Sequence, residues 1–179
     1  MRILVTGGVR SGKSRHAEGL LSGPDAVTCD AVTYVAPGRP ADGTDPDWDA
    51  RVARHRASRA AHWTTVETTD VAAAMARARG PVLVDCLGSW LAALLDDRQL
   101  WEAGYHDVHE AVSASTDVLC DALAATTDAV LVTNEVGLGV VPSHRSGVLF
   151  RDLLGILNQR VAAVCDEVHL VIAGRIVKL

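Results

Sequence analysis

The sequence has little that would suit a membrane-spanning or secreted protein. No apolar run approaches the roughly 18 residues that a transmembrane helix needs. The first residues contain no basic stretch followed by an apolar one, so we expect no signal peptide. These absences predict a cytoplasmic protein without a membrane span.

Cysteines and aromatic residues are also scarce. The four cysteines, Cys29, Cys86, Cys120 and Cys165, form no C-x-x-C pair, so we expect unpaired thiols in a reducing compartment. Only 4% of the residues are aromatic whereas 49% are hydrophobic, which predicts a core built mostly of alanine, valine and leucine. The net charge of −5 argues against nucleic acid as a partner.

The strongest motif that is present lies directly after the first apolar run. Residues 7–14 read GGVRSGKS and match the phosphate-binding P-loop, G-x-x-x-x-G-K-[ST]. Its members are Gly7, Gly8, Val9, Arg10, Ser11, Gly12, Lys13 and Ser14. The glycines let backbone N–H groups point at phosphate oxygens, the lysine adds a positive charge, and the serine hydroxyl suits Mg²⁺. The motif predicts a nucleoside triphosphate site at the start of a helix.

Strand and helix patterns alternate along the rest of the chain. Nearly continuous apolar runs are typical of strands that are buried on both faces of a parallel sheet. We predict strands at 2–6, 31–36, 64–67, 81–85, 129–133 and 167–173, and helices at 13–22, 47–60, 69–79, 88–95, 106–125 and 147–164. The alternation after a P-loop predicts a three-layer α/β fold of the P-loop NTPase type, RecA-like, with a mostly parallel central sheet. A length of 179 residues fits one catalytic domain, residues 1–179.

Ligands of such sheets bind beyond the carboxyl ends of the strands, and two of those ends carry acids. Asp85 closes the apolar run 81–84 in the manner of a Walker B acid, which would hold Mg²⁺ together with Ser14. The alternative is that Asp85 only caps the next turn. Glu135 follows the run 129–133, either as a second acid near the phosphates or as part of a structural loop.

A basic segment is unexpected in an acidic protein. Residues 51–62 contain four arginines and two histidines, and Arg51, His55, Arg59 and His62 are spaced to share one helical face. This face is either solvated or paired with the aspartates at 42–49, or it is a second phosphate-facing surface. If the face is a phosphate-facing surface, the flanking cations lower the pKa of the His55 imidazole, which keeps it neutral and nucleophilic.

Taken together, the motifs resemble one family over essentially the whole chain. It is the bifunctional adenosylcobinamide kinase/adenosylcobinamide-phosphate guanylyltransferase family of cobalamin biosynthesis. The matching stretches are ILVTGGVRSGKSRHAE at 3–18, YVA at 34–36, the R-x₃-H-x₃-R-x₃-W run at 51–63, VDCLGSWLAALL at 84–95, VTNEVGLGVVP at 132–142, FRDLLGILNQRVA at 150–162 and DEVHLVIAG at 166–174.

The resemblance implies two reactions and the residues that perform them. The aminopropanol hydroxyl of adenosylcobinamide is phosphorylated with ATP or GTP, and GMP is then transferred from GTP to that phosphate through a covalent guanylyl-histidine, releasing pyrophosphate. The position that matches the nucleophile is His55. By the same carry-over, the nucleotide contacts fall on the P-loop and on Ala36, Pro37, Gly38, Arg56, Ala57, Ser58, Arg59, Glu67 and Asp85. Since Pro37 has no N–H to donate, any polar contact there must come from Gly38 or a carbonyl.

The resemblance also implies a cytoplasmic trimer whose ligands are GTP, ATP, Mg²⁺ and a corrinoid. Two alternatives remain: a monofunctional P-loop kinase in which His55 only contacts phosphate, and a nucleotide-binding regulatory module without turnover. Asp85 and Glu135 are both candidates for the base that acts on the aminopropanol hydroxyl.

Overall fold

The computed structural model describes residues 1–22 and 32–179, with Ser58 described by its backbone alone. These residues form seven strands and six helices. The strands are β1 (Arg2–Gly7), β2 (Thr33–Ala36), β3 (Thr64–Glu67), β4 (Val82–Asp85), β5 (Ala129–Val132), β6 (Glu167–Ile172) and β7 (Arg175–Lys178). The helices are α1 (Lys13–Ser22), α2 (Pro46–Ser58), α3 (Val71–Arg77), α4 (Leu87–Asp97), α5 (Tyr105–Ala125) and α6 (Arg145–Ala162).

All seven strands form one sheet in the order β3-β2-β4-β5-β1-β6-β7. Every neighbouring pair is parallel except β6 with β7. The central register pairs Val5 with Val132 and Val132 with Asp85, so these strands end level with one another. The predicted α/β fold with a mostly parallel sheet is confirmed. The first residue predicted for the second strand, Ala31, lies outside the described residues, as does Cys29.

The edge strand β7 was not predicted from the sequence. All four of its residues are exposed, so it lacks the apolar run that marks the buried strands. The chain reverses into it through Ala173 and Gly174, whose φ values of 49° and 75° are left-handed. This turn places the carboxyl-terminal strand beside β6, where the sheet would otherwise end.

Helices cover the two faces of the sheet unequally. Side chains alternate along β1, so Ile3 and Val5 face one side and Leu4 faces the other. The first side packs on Ala17 and Leu21 of α1 and on Trp63. The second side carries the larger apolar cluster, to which α3, α4, α5 and α6 contribute. Thus α1, the sheet and the remaining packed helices make three layers, and the strands between them are buried on both faces.

Helix α2 begins one residue before the predicted start and ends two residues before the predicted end. The Asp45 side chain accepts hydrogen bonds from the N–H groups of Asp47 and Trp48, with Pro46 at the first helical position. The helix ends at Ser58, and Arg59 is already extended. The prediction that Arg59 and His62 continue the helical face is therefore wrong. The chain turns here because Trp63, which is 8% exposed, is buried against the sheet.

The described cysteines Cys86, Cys120 and Cys165 are free thiols, as expected. None of the helices in the described ranges is long and apolar enough to cross a membrane.

Replacing Leu131 with alanine is expected to destabilise the fold substantially. This side chain is 0% exposed in the central strand β5, and removing it leaves a cavity in the larger apolar cluster between the sheet and its helices. The expected loss is about 2–5 kcal/mol of the free energy of unfolding, measured by urea denaturation. Val118→Ala is the control, because Val118 is 58% exposed and should change stability by less than about 0.5 kcal/mol. Equal losses for the two variants would contradict this packing.

Candidate active site

The P-loop curls at the carboxyl end of β1. Two of its residues adopt left-handed φ values, 57° at Arg10 and 96° at Gly12, and these turn the backbone back towards α1. Lys13 lies inside the curl, 8% exposed, and its Nζ donates to the Gly8 carbonyl at 3.2 Å. Burial lowers the pKa of Lys13, while the nearby Asp85 opposes that shift. A buried ammonium of this kind needs an anion beside it, which a phosphate would supply.

Residues of β6 and of the β6–β7 turn pack against the P-loop and α1. A Cβ atom on Gly7 would collide with the Val171 carbonyl oxygen and lie 2.7 Å from Ser11 Oγ, so only glycine fits there. The Gly174 N–H donates to the Ser11 carbonyl at 2.9 Å. The ring nitrogens of His16, on α1, and the buried His169, on β6, share a hydrogen bond of 2.8 Å. The carboxyl end of β6 and the turn that follows it thus support the phosphate-binding backbone.

Asp85 stands beside the P-loop at the end of β4, with its side chain only 6% exposed. Tyr34 on β2 donates its hydroxyl to Asp85 Oδ2 at 3.1 Å. Burial and the neighbouring carboxylate raise the pKa of Tyr34, so the phenol stays protonated and remains a donor. Two adjacent parallel strands therefore supply a carboxylate and the group that orients it.

Helix α2 brings His55 over this carboxylate. Its Nδ1 lies 3.9 Å from Asp85 Oδ2, and its side chain is 34% exposed. Burial is the main cause that lowers the pKa of His55; Asp85 raises it, and Arg51, Arg59 and Lys13 lower it further. The sequence predicted a lowered pKa from the flanking arginines, and the structure adds desolvation as the larger cause. The imidazole is therefore neutral at pH 7, with Nδ1 facing an acceptor.

The other basic residues of the segment have different surroundings. The Arg59 guanidinium lies 4.0 Å from the centre of the Tyr34 ring, a cation–π contact that keeps it beside Asp85 and His55. Arg56 instead makes an ion pair with Glu67, with Nη2 at 2.7 Å from Oε1 and 2.9 Å from Oε2. Arg59 thus faces the site, whereas Arg56 is occupied at its rim.

These groups line one cavity at the carboxyl edge of the sheet. Its walls are formed by Lys13, Ser14, Tyr34, Ala36, Gly38, Arg39, Pro40, Trp48, Arg51, Val52, His55, Arg59, Glu67, Asp85, Cys86, Ser89 and Asn134. A second, more open cleft adjoins it and is lined by the P-loop from Val9 onwards. Of the predicted contact residues, Gly7, Gly8, Pro37, Arg56 and Ala57 line neither cavity, and the side chain of Ser58 lies outside the description.

Asn134 is a lining residue that the sequence did not single out. It follows β5, and its Oδ1 is buried without a hydrogen-bond partner among the described residues. Asn158 on α6 accepts from Thr133 Oγ1 at 2.6 Å and donates to the Asn134 carbonyl at 3.1 Å, which holds this strand end in place. The Glu135 side chain accepts from the Gly137 N–H instead and is not among the lining residues. Only the position after a buried strand could have drawn attention to Asn134.

The oxygen donors present fit a magnesium ion. Ser14 and Asp85 line the same cavity as the buried Lys13, and Mg²⁺ prefers one or two protein oxygens together with phosphate and water. The described part of the chain contains no cluster of three or more His, Cys, Asp or Glu side chains suited to a metal. A site with few protein ligands and a phosphate is thus the kind that these residues allow.

Comparison with known proteins finds relatives along the whole chain. The family model described as cobinamide kinase / cobinamide phosphate guanyltransferase matches residues 3–179. The bifunctional adenosylcobalamin biosynthesis protein CobU of Salmonella typhimurium is 37% identical over 195 residues, covering 100% of this chain and 99% of that protein. The protein of the same name in Escherichia coli is 37% identical over 188 residues, again covering 100% and 99%. The bifunctional protein CobP of Pseudomonas aeruginosa is 38% identical over 181 residues, covering 97% and 94%.

Two solved structures are similar at low identity. The P4 protein from bacteriophage phi6, in complex with ADP, is 16% identical with a TM-score of 0.45, covering 98% of this chain and 52% of that one. A KaiC-like protein from Pyrococcus horikoshii is 14% identical with a TM-score of 0.44, covering 94% and 69%. This chain spans about half the length of the phage protein.

Replacing Gly7 with alanine is expected to weaken nucleotide binding by at least about tenfold, because the added methyl group must push the P-loop away from Val171 or Ser11. Titration with a fluorescent GTP analogue measures the dissociation constant. Gly19→Ala is the control, since a Cβ at Gly19 on α1 meets no atom within 4 Å. Full affinity in the Gly7 variant would show that the close approach is not required.

Proposed function

The chain belongs to the cobinamide kinase / cobinamide phosphate guanyltransferase family, and we propose that its cavity serves both of that family's reactions. In the first reaction, the aminopropanol hydroxyl of adenosylcobinamide takes the γ-phosphoryl group of ATP or GTP. In the second reaction, the new phosphate accepts GMP from GTP, giving adenosylcobinamide-GDP and pyrophosphate. The chain would thus be a bifunctional transferase of adenosylcobalamin biosynthesis.

We assign His55 as the nucleophile of the second reaction. Nε2 attacks the α-phosphorus of GTP; an N–P bond forms as the bond to the bridging oxygen breaks, and pyrophosphate leaves with that electron pair. The acceptor phosphate then attacks the same phosphorus, and the electron pair of the N–P bond returns to the ring. The proton on Nδ1 stays in place throughout, so the ring is positively charged only in the intermediate.

The observation that carries this assignment is the position of Asp85. Its buried carboxylate lies 3.9 Å from Nδ1, which favours the tautomer with the proton on Nδ1 and leaves Nε2 as the attacking atom. The same carboxylate would stabilise the positive ring of the intermediate. Tyr34 supports this role because its hydroxyl fixes the carboxylate. A kinase that used His55 only as a phosphate contact would not need this arrangement.

The cations around His55 support a reaction in which negative charge develops on the leaving pyrophosphate. Lys13, Arg51 and Arg59 are close enough to lower the pKa of His55, so they would also stabilise negative charge on the α-phosphate and pyrophosphate. Ser14 and Asp85 would hold the Mg²⁺ ion, which supplies further charge neutralisation when bound. Ala36, Gly38 and Glu67 line the same cavity and would contact the nucleoside. Arg56 would act through its ion pair with Glu67.

For the kinase reaction, Asp85 is the better placed of the two candidate bases. It lines the cavity with Lys13, whereas the Glu135 carboxylate is held by its own loop. The alternative of a monofunctional kinase retains this step and lacks only the histidine intermediate.

We also propose that residues 1–179 act as one catalytic domain within a cytoplasmic homo-oligomer, a trimer as the family resemblance implies. The single sheet that joins β1 to β7 supports one domain. The apolar side chains of Leu138 and Val140, which are 91% and 95% exposed, suit a subunit contact.

Replacing His55 with alanine is expected to abolish a covalent guanylyl adduct. The unsubstituted protein, incubated with GTP and Mg²⁺ and then denatured, should gain the mass of one guanylyl group (GMP less one water) in an acid-labile, alkali-stable linkage. Intact-mass spectrometry measures the adduct. His106→Ala is the control, because the His106 side chain is 90% exposed and lies away from the cavity.

An adduct that persists in the His55 variant would contradict the assigned nucleophile. No adduct on any variant, together with ATP-dependent phosphorylation of adenosylcobinamide, would favour the monofunctional kinase.

The rate of adduct formation is expected to fall at acid pH, and Asp85→Asn should move that fall to lower pH. Neutral His55 attacks and its pKa is lowered, mainly by burial, so the rate is highest well above that pKa and is lost as the pH drops through it. Asp85 raises this pKa, so its removal lowers it further, even though the maximal rate also decreases. Single-turnover rates across pH measure the midpoint. Asp121→Asn, on the exposed face of α5, should leave it unchanged; a shift to higher pH in the Asp85 variant would contradict the pairing.

A further inference from the structure

The open cleft above the P-loop carries more positive charge than a triphosphate site needs. Its lining includes Arg10, Arg15, Arg51 and Arg54 in addition to Lys13. Arg15 comes from the first turn of α1 and Arg54 from α2, so the two arginines reach the cleft from separate helices. Neither has a role in the assignments made above. The cleft is therefore a basic surface whose ligand is not yet accounted for.

Three of the four arginines of this cleft are available to a ligand, whereas Arg51 lies over the Trp48 ring. Arg10, Arg15 and Arg54 are exposed, and none of them makes an ion pair or side-chain hydrogen bond with another of the residues in the described ranges. The two acids in the lining do not neutralise them: Asp45 caps α2 and lies 3.8 Å from Arg39, which leaves Asp47 alone. Unpaired guanidinium groups from two elements suit a phosphate, which they can bind in a bidentate manner.

The open cleft and the more enclosed cavity that contains Asp85 meet at His55. Six residues line both of them, namely Lys13, Ser14, Trp48, Arg51, His55 and Asn134. The enclosed side contains Tyr34, Glu67 and Asp85, whereas the open side contains the P-loop and the arginines. A nucleotide joined to His55 would thus have its nucleoside on the enclosed side and its phosphorus towards the open side.

Two successive displacements at the α-phosphorus of GTP require pyrophosphate and the acceptor phosphate to occupy the same position in turn. In the first, pyrophosphate leaves from the side of the phosphorus opposite His55. In the second, the acceptor must attack from the side opposite the departing His55, which is the side that pyrophosphate has left. The P–O bond to the acceptor forms there as the N–P bond breaks. This constraint follows from in-line geometry and rests on the proposed histidine step.

We propose that the open cleft is the binding site for the phosphate monoester of the acceptor, and that Arg15 and Arg54 hold this phosphate where pyrophosphate departs. The P-loop, its lysine and the two arginines all line this one cleft, with Arg15 on α1 and Arg54 on α2. The open mouth suits a bulky corrinoid attached to the phosphate. Arg15 and Arg54 would be binding residues of the transfer reaction in addition to the P-loop.

The experiment starts from the guanylylated protein, freed of GTP and pyrophosphate. It compares unsubstituted protein with Arg15→Gln and Arg54→Gln in two single-turnover reactions of the same adduct. One reaction transfers GMP to adenosylcobinamide phosphate, and the other returns it to pyrophosphate and regenerates GTP. Arg79→Gln is the matched control. Arg79 is exposed and precedes β4, so it lies near the amino ends of the strands, away from the site at their carboxyl ends. Thermal unfolding checks that each variant is folded.

Each substitution is expected to raise the half-saturating concentration by about tenfold in both reactions, since each removes charge-assisted hydrogen bonds to a shared phosphate position. Arg54→Lys should recover part of the loss, and Arg79→Gln should show none. Pyrophosphate should compete with adenosylcobinamide phosphate for the adduct.

Normal transfer in both glutamine variants, or a loss confined to only one of the two reactions, would overturn the proposal. The absence of an adduct on the unsubstituted protein would be a different result: it would contradict the histidine step itself and remove the basis of this inference as well.

Discussion

The parallel register of the central strands is the constraint on which the site depends. Val5, Val132 and Asp85 lie level across β1, β5 and β4, so the residues that follow each strand emerge at one edge of the sheet. The P-loop, Asp85 and Asn134 meet there although they are far apart in the sequence. A shift of register by one residue would turn each side chain to the other face of the sheet and separate the group.

Burial at this edge gives the charged side chains their chemical character. Lys13 and Asp85 are almost completely buried. Their burial is tolerated because each has an opposite charge or a hydrogen-bond donor nearby. His55 is drawn into the same low-dielectric surroundings, where desolvation lowers its pKa and keeps it neutral. The lowered pKa of this proposed nucleophile thus depends on its burial over the sheet as well as on the arginines beside it in the sequence.

Much of this arrangement could be predicted from local patterns. The P-loop has a fixed spacing, and the strands that are buried on both faces are continuous apolar runs, so both were found. The edge strand β7 was missed because its exposed side chains follow no such pattern. Arg59 was misplaced on a helical face because the burial of Trp63, which ends α2, is a tertiary contact. Tyr34 and Asn134 could not be assigned from spacing, since their partners Asp85 and Asn158 are distant in the chain.

The sequence by itself determined that the chain binds a nucleoside triphosphate and which family it resembles, because these depend on motifs of consecutive or regularly spaced residues. The tertiary structure alone decided which polar groups face one another. It placed His55 over Asp85, paired Arg56 with Glu67, and left Arg15 and Arg54 at an open cleft. The physical reason is that charge, burial and hydrogen bonding depend on distance in space, which the order of residues does not contain.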